Sequence, residues 1–254
     1  MPTYLADLHL HSVLSPCGDL AMSPAAIIDR AVEIGLGLVA LTDHNSARNT
    51  PAWRAAGAKR GVRTLYGLEV RSAEEVDVLT VFDEVDSALA FGEWVYAALP
   101  DRPCEARVFG EQIVVDEAEV VLDFEPRLLI SGIAHDLETI CDEARARGAL
   151  VIGAHVDRAV DSIISQLGWL PEGLAVDAVE VTRYTDEQVL VQQHPSLAGL
   201  PVVRFSDAHL VPDIGYQQTR FCVAEPTVAE LKLALAGLEG RSAEPIRQAL
   251  RQQR

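Results

Sequence analysis

An α/β barrel is the fold class this sequence predicts, and three observations carry it. Short β-rich apolar runs alternate with helical patterns along nearly the whole chain, which implies strand–helix units around a mostly parallel sheet. Residues suited to holding a metal fall just after at least five separated strand candidates. A barrel gathers the ends of many strands at one face, whereas an open doubly wound sheet concentrates its site at one crevice. The length, 254 residues, matches single-domain barrels of about 250 residues.

Taken in order, the first strand is Tyr4-Leu5-Ala6, which leads into Asp7-Leu8-His9-Leu10-His11-Ser12. Ser23-Pro24 opens a helix as N-cap and first-turn proline, and Gly35 closes it. Leu38 to Leu41 reads as a buried strand, and Thr50-Pro51 opens a second helix that ends near Gly61. Arg63 to Tyr66 and Val76 to Phe82 are strands, and Asp86 to Leu99 has helical period. Asp136 caps a helix that runs to Gly148, before the strand Leu150 to Ile152. Ala178 to Val181, Val202 to Phe205 and Phe221 to Val223 are further strands, and Thr227 to Ala236 is the last clear helix.

Two segments depart from the alternation. Residues 101–127 are irregular, with Pro103, Gly110 and Pro126, and carry the acidic run Asp116-Glu117-Ala118-Glu119. They are expected to form an insertion or lid on a single barrel domain spanning 1–240. Residues 241–254 are a polar C-terminal tail, expected to fray.

Apolar residues make up 49% of the chain, enough for a full core. The formal net charge of -17 argues against an extended duplex nucleic-acid surface. It leaves room for gripping a strand end, because part of the acid count can be metal ligand. Cys17, Cys104, Cys141 and Cys222 form no C-x-x-C, so a reduced, cytoplasmic protein is expected. Cys17 stands out among them because it lies in the loop beside the first histidine pair. The N-terminus has no signal-peptide pattern, and no apolar run is long enough to span a bilayer, so no membrane partner is expected.

The chemistry starts at His9 and His11. In an extended strand, residues i and i+2 point to the same side, so both imidazoles can reach one metal. Alone, a His-x-His pair is weak. It gains weight because Thr42-Asp43-His44-Asn45, Gly67-Leu68-Glu69, Gly153-Ala154-His155 and Ser206-Asp207-Ala208-His209 follow other strands. Together they offer imidazole and carboxylate, the ligand set of hydrolytic zinc, manganese or iron. Asp43 is expected to hydrogen-bond the loop or a ligand histidine. His135 and His194 read as ordinary loop histidines.

This ordered set of motifs resembles the PHP (polymerase and histidinol phosphatase) family, from Asp7 to about Val223. The resemblance implies a distorted (β/α)7 TIM-like barrel, with two or three divalent metal ions (Zn, Mn or Fe) at the strand ends. It also implies metal ligation by His9, His11, Asp19, His44, Glu69, His155, Asp207 and His209, with Glu69 bridging ions. One position departs from the pattern. Where the family often has a histidine, Glu74-Glu75-Val76-Asp77-Val78-Leu79 places Asp77, a carboxylate that can ligate the same metals. Arg158 and Arg183, near strand ends, are candidates for phosphate, as in the histidinol-phosphatase members.

The expected function is therefore a metal-dependent phosphoesterase. It would hydrolyse a phosphomonoester, histidinol-phosphate-like or a nucleotide or short oligonucleotide end, by a metal-activated water. Asp207, His209 and Glu69 would take part in the chemistry. An amidohydrolase-like barrel acting on C–N or ester bonds is the first alternative. Such enzymes often use a strand-borne lysine, and here Lys59 and Lys232 both sit in helical patterns. A non-catalytic, metal-binding PHP module is the second.

Overall fold

The computed structural model describes residues 1–246. Its elements run β1 (Thr3–Asp7), α1 (Pro24–Glu33), β2 (Leu38–Leu41), α2 (Thr50–Arg60), β3 (Arg63–Arg71), β4 (Asp77–Phe82), α3 (Val85–Ala98), α4 (Ala106–Phe109), β5 (Ile113–Val115) and β6 (Val121–Phe124). They continue α5 (Leu137–Ala146), β7 (Leu150–Gly153), α6 (Ile163–Leu167), β8 (Ala178–Glu180), α7 (Glu187–Gln193), β9 (Val202–Val203), β10 (Gln218–Cys222), α8 (Val228–Leu235) and β11 (Ser242–Ile246). The punctuation residues act as their chemistry requires. The side chains of Ser23, Asp136 and Thr227 each accept an N–H at a helix start, and Gly61 ends α2 at φ 71°.

Nine strands form one nearly closed sheet in the order β11-β10-β1-β2-β3-β4-β7-β8-β9. Seven of them, β1 to β4 and β7 to β9, make the ring. It closes where the segment after β9 meets the end of β1: Leu10 and Ala208 form a parallel bridge, and the His11 N–H donates to Ala208 O at 3.2 Å. The architecture is thus the expected distorted barrel, but the expectation of a mostly parallel sheet fails. β3–β4, β4–β7, β1–β10 and β10–β11 are antiparallel, against four parallel pairs. The short turn from Ser72 to Val76 leaves no room for the crossover a parallel β4 would need, so β4 folds back as a hairpin. Its first residue, Asp77, therefore lies at the same end as the last residues of β3 and β7.

Alternation sorts the core. Val39, Leu41, Leu68, Val70, Val78, Val151 and Val179 pack with α1, α2, α3 and α5. The opposite faces supply Ala6, Leu38, Ala40, Leu65, Leu79, Val81, Leu150, Ile152 and Ala178, packed with Val228, Leu231 and Ala234 of α8. Glu69, Asp77 and Glu180 have the parity of this second, inward set, one or more residues nearer the open end.

Residues 101–127 carry α4 and the β5–β6 hairpin, fastened to the loop after β1 and to α2. The Ile113 N–H donates to Val13 O, Asn49 Nδ2 donates to Ile113 O, and Val115 packs on Val13 and Ala52. The expected fraying from 241 is not what the described residues show. Ser242 to Ile246 pair with Cys222 to Gln218, because β10 would otherwise present an open edge. Residues 247–254 of that tail lie outside the described residues. Among the described residues, no helix is long and apolar enough to cross a membrane.

One buried cation ties the late loops to the barrel. Arg204, 2% exposed, donates from Nη1 to Thr182 O and from Nη2 to Thr185 O at 2.9 Å, and pairs with Glu187. Arg204→Met strands those carbonyls, and the expected loss is on the order of 3 kcal/mol. Urea unfolding measures it. A loss under about 1 kcal/mol would mean that solvent satisfies the loop.

Candidate metal centre

His9 and His11 leave the end of β1 with both rings buried, and the loops fix which nitrogen each presents. His9 Nδ1 lies 2.9 Å from Glu180 Oε2, an atom that only accepts, so Nδ1 carries the proton and Nε2 presents a lone pair. His11 Nδ1 lies 2.9 Å from Ser15 Oγ, whose own proton goes to Asp43 Oδ1 at 2.7 Å. Ser15 must therefore accept from His11, and His11 Nε2 is likewise free to ligate. His209 Nδ1 faces the Asp207 carbonyl oxygen at 2.9 Å, which leaves its Nε2 free as well. Asp43 also accepts from the Ser12 N–H and hydroxyl at 2.7 and 2.6 Å, so it orients the loop as its position suggested. Asp7 anchors the arrangement from below. It accepts from the Ser206 and Gly215 N–H groups at 3.0 and 2.9 Å, and burial pushes its carboxyl up to about 6 against those hydrogen bonds.

The free nitrogens converge on two carboxylates. His9 Nε2 is 3.3 Å from both Glu69 Oε1 and Asp207 Oδ1. His11 Nε2 is 3.3 Å from Glu69 Oε2 and 3.2 Å from Asp207 Oδ1. His44 Nδ1 is 3.0 Å from Glu69 Oε2. Ligand atoms about 2.0–2.2 Å from one ion, at tetrahedral to octahedral angles, stand about 3.0–3.5 Å apart, so these spacings fit a shared cation. His9 Nε2, His11 Nε2, His44 Nδ1 and Asp207 Oδ1 are all buried without a hydrogen-bond partner. Orphaned polar atoms are costly unless something meets them, and four gathered around Glu69 match the donor chemistry of divalent metals. Three groupings of potential ligands result: His9, His11, Glu69 and Asp207; His11, His44 and His209; and Glu69, Asp77 and His155.

The electrostatics agree. Burial disfavours a charged His11, but the facing carboxylates of Asp207 and Glu69 outweigh it and hold the imidazole up at about 9. Burial likewise opposes ionisation of Glu69, yet His9, His44, His11 and His155 hold its carboxyl well below the usual carboxylate range. Such a field attracts cations. His209, on the edge of the cluster, is pushed down to about 3 by burial and by His11.

Of the residues the sequence singled out, His9, His11, His44, Glu69, Asp77, His155, Asp207 and His209 come together. Asp19 does not. It is exposed, and its Oδ1 accepts the Ala21 N–H at 2.8 Å, the role of a turn residue; only its backbone reaches the site, donating to His209 O at 3.0 Å. Asp77 is engaged elsewhere as well: Arg71 Nε and Nη2 donate to its two oxygens at 2.8 Å each. Arg158 Nη1 lies 3.1 Å from Asp207 Oδ2, while exposed Arg183 stacks between Tyr184 and Tyr216, 4.7 and 4.4 Å from their ring centres. Both arginines line a cavity of about 290 Å³ that reaches His155 and Asp207. Cys17 joins none of the ligand groupings. Desolvation, Glu69 and Asp207 push its thiol up to about 12, which makes it a poor nucleophile. His135 stacks on Trp94 at 4.3 Å, and His194 caps α7, both away from the cluster.

Backbone strain concentrates here too. Asn45, His155 and Asp207 hold φ of 49°, 25° and 51°, a region non-glycine residues avoid unless the surroundings enforce it. Sequence reasoning missed Glu180, whose Oε2 also accepts the His155 N–H at 3.1 Å. A carboxylate inside the strand reading Ala178 to Val181 was the available signal. Glu180→Ala frees the His9 ring to turn and leaves the His155 N–H without its acceptor, and a drop of about 10–100-fold in metal affinity is expected. Chelator competition on the folded variant measures it, and an unchanged affinity would remove Glu180 from the centre.

The family model for the PHP domain matches residues 7–165. The chain is 44% identical over 209 residues to a 3',5'-nucleoside bisphosphate phosphatase of Chromobacterium violaceum, covering 74% of this chain and 70% of that protein. It is 34% identical over 83 residues to a PolC-type DNA polymerase III of Oceanobacillus iheyensis, which is 33% of this chain but only 6% of the polymerase. In structure it resembles a lesion-specific endonuclease of Pyrococcus furiosus with a TM-score of 0.70 at 20% identity, over 95% of this chain and 58% of that one. The last likeness speaks to the fold alone. With the family model spanning most of the chain and the phosphatase aligned through it, this protein belongs to the PHP domain family of metal-dependent phosphoesterases.

Proposed function

We propose that this protein hydrolyses a small phosphomonoester, in the class of nucleotides or similarly sized metabolites, at a centre of two or more divalent ions. One observation carries the reading: the orphaned ligand atoms of His9, His11, His44 and Asp207 meet around buried Glu69 beside a cavity lined by Arg158 and Arg183. The nucleoside bisphosphate phosphatase relative supports a phosphorylated small molecule as substrate. The net charge of -17 disfavours an extended duplex, while a nucleotide or the end of a short oligonucleotide remains compatible with the cavity.

Held by these residues, divalent ions supply Lewis acidity for a phosphoryl group and ionise water near neutral pH; manganese, zinc and iron all suit the nitrogen and oxygen donors. The protein's own part is positional. Asp207 turns Oδ1 toward His9 and His11 and Oδ2 toward Arg158. A phosphate entering the cavity can draw the Arg158 guanidinium onto its non-bridging oxygens. Asp207 Oδ2, released from that pair, would then be placed to accept the proton of the attacking water and pass it to the leaving oxygen. Arg183, held between two tyrosine rings, offers a second cation at the rim.

Metal content and phosphate release measured together test this. Protein purified without chelator should release phosphate from some member of a panel of phosphomonoesters, nucleotides and short oligonucleotides, and should stop on chelation. His9→Ala and Asp207→Asn should cut turnover by orders of magnitude with the barrel still folded by circular dichroism; wild-type turnover in either would sink the assignment. Arg158→Ala should raise KM about tenfold or more, since a charged hydrogen bond to phosphate contributes about 1.5–3 kcal/mol. A Michaelis series on the best substrate reads that change.

A further inference from the structure

We propose that Arg71 takes the place of one cation at the Glu69–Asp77–His155 grouping, so that the centre holds two divalent ions and Asp77 is the counter-ion of Arg71 rather than a ligand. The inference builds on the metal-centre reading above and concerns how many ions that centre accepts.

Three features of the chain point there. Arg71 and Asp77 are directly opposite in the β3–β4 register, so the pair is built into the sheet. The guanidinium meets both oxygens of Asp77 at 2.8 Å in a fork, and its Nη2 also reaches Asp161 Oδ2 at 2.9 Å. A bidentate fork occupies the lone pairs a carboxylate would otherwise turn toward a metal on that side. Asp77 is 1% exposed and Arg71 is largely covered, so no solvent competes for the pair.

The remaining atoms of the grouping are also satisfied. His155 Nε2 is 2.9 Å from Glu69 Oε1 but 3.8 Å from Asp77 Oδ2, so it bonds to the first and not to the second. The unpaired nitrogen of His155 is Nδ1, on the other side of the ring. By contrast, His9 Nε2, His11 Nε2, His44 Nδ1 and Asp207 Oδ1 have no partner. A cation is therefore wanted among the second set, while the first already contains one, supplied by the protein.

Charge gives the same answer. Arg71 cancels Asp77, which leaves Glu69 with no arginine partner and Asp207 with only the exposed Arg158, on Oδ2, among the carboxylates of the ligand groupings. Glu69 has two oxygens, one toward His9 and one toward His11 and His44. It can serve two ions without help from Asp77. A third dication beside a fixed guanidinium would be repelled in a region with little water to screen it.

Manganese binding, measured by equilibrium dialysis against Mn²⁺ with elemental analysis, tests this without using activity. Wild type should saturate at two ions per chain, Asp77→Asn should still hold two, and Arg71→Gln, with Asp77 now uncovered, should accept a third. Each variant is first confirmed folded by circular dichroism. Saturation of wild type at three ions, or loss of one ion in Asp77→Asn, would overturn the proposal, as would an Arg71→Gln protein that is folded and stays at two. A wild type that binds no manganese, zinc or iron at all would overturn the metal-centre reading itself, which keeps the two failures apart.

Discussion

A carboxylate buried to 1% exposure must be met by positive charge or donated protons, and Glu69 sets that demand at the middle of this barrel. Left alone, it would cost several kcal/mol. Four imidazoles lie within hydrogen-bond or ion-pair distance of its two oxygens, two from the segment after β1 and one each from the segments after β2 and β7. The imidazoles in turn are buried and need acceptors, so the charges are interdependent. Divalent ions would resolve the set, because they would replace shared protons with cations that the lone pairs can face. The centre and the barrel's open end therefore have to be considered as a single electrostatic unit.

Around this unit, the fold spends rigidity on orientation. Glu180 fixes the tautomer of His9, and the Asp43–Ser15 relay fixes that of His11. Asp7 joins the first histidine motif to the Ser206 and Gly215 loops across the ring closure. His155 and Asp207 sit in left-handed backbone, a conformation that local sequence preference would abandon. These contacts hold a strained geometry in place, which is what a preorganised centre requires. Asp157 performs the same service at the cavity wall, where its carboxylate accepts from the Thr182 N–H and from the hydroxyls of Thr182 and Thr185.

Much of this was legible in the sequence. The helix caps at Ser23 and Asp136 were visible because capping is local chemistry. The ligand motifs were visible because they recur after strands. The direction of β4 was not. A strand shows the same alternation whichever way it runs, so only the shortness of the Ser72–Val76 turn hinted at a hairpin. That reversal is why Asp77, at the start of its strand, shares an end with Glu69, two residues before β3 ends, and Glu180, which closes β8. β3 also runs on through Glu69 to Arg71, past the Tyr66 limit read from its apolar pattern. Polar inward residues at a strand's functional end break the very pattern by which strands are recognised. Glu180 lay inside a strand that was recognised, and only the assembled sheet shows that it faces inward. Asp19 erred the other way: its place beside Gly18 signalled a turn as strongly as the family motif signalled a ligand, and the turn prevailed.

On the proposed function, the arginines at the mouth would let an acidic protein accept an anion. At a net charge of -17, long-range attraction works against a phosphorylated substrate. Selectivity must then come from short range, within a Debye length of about 8–10 Å. Arg158 spends its charge on Asp207 until a better partner arrives, and Arg183 is held by tyrosine faces rather than by a carboxylate. Neither is locked as Arg71 is, between Asp77 and Asp161. The same residue type thus does two jobs within one site. The buried, doubly paired arginine offsets the charge of the fold, and the two at the rim stay available to a ligand. Availability, more than the number of cations, decides which of them can bind phosphate.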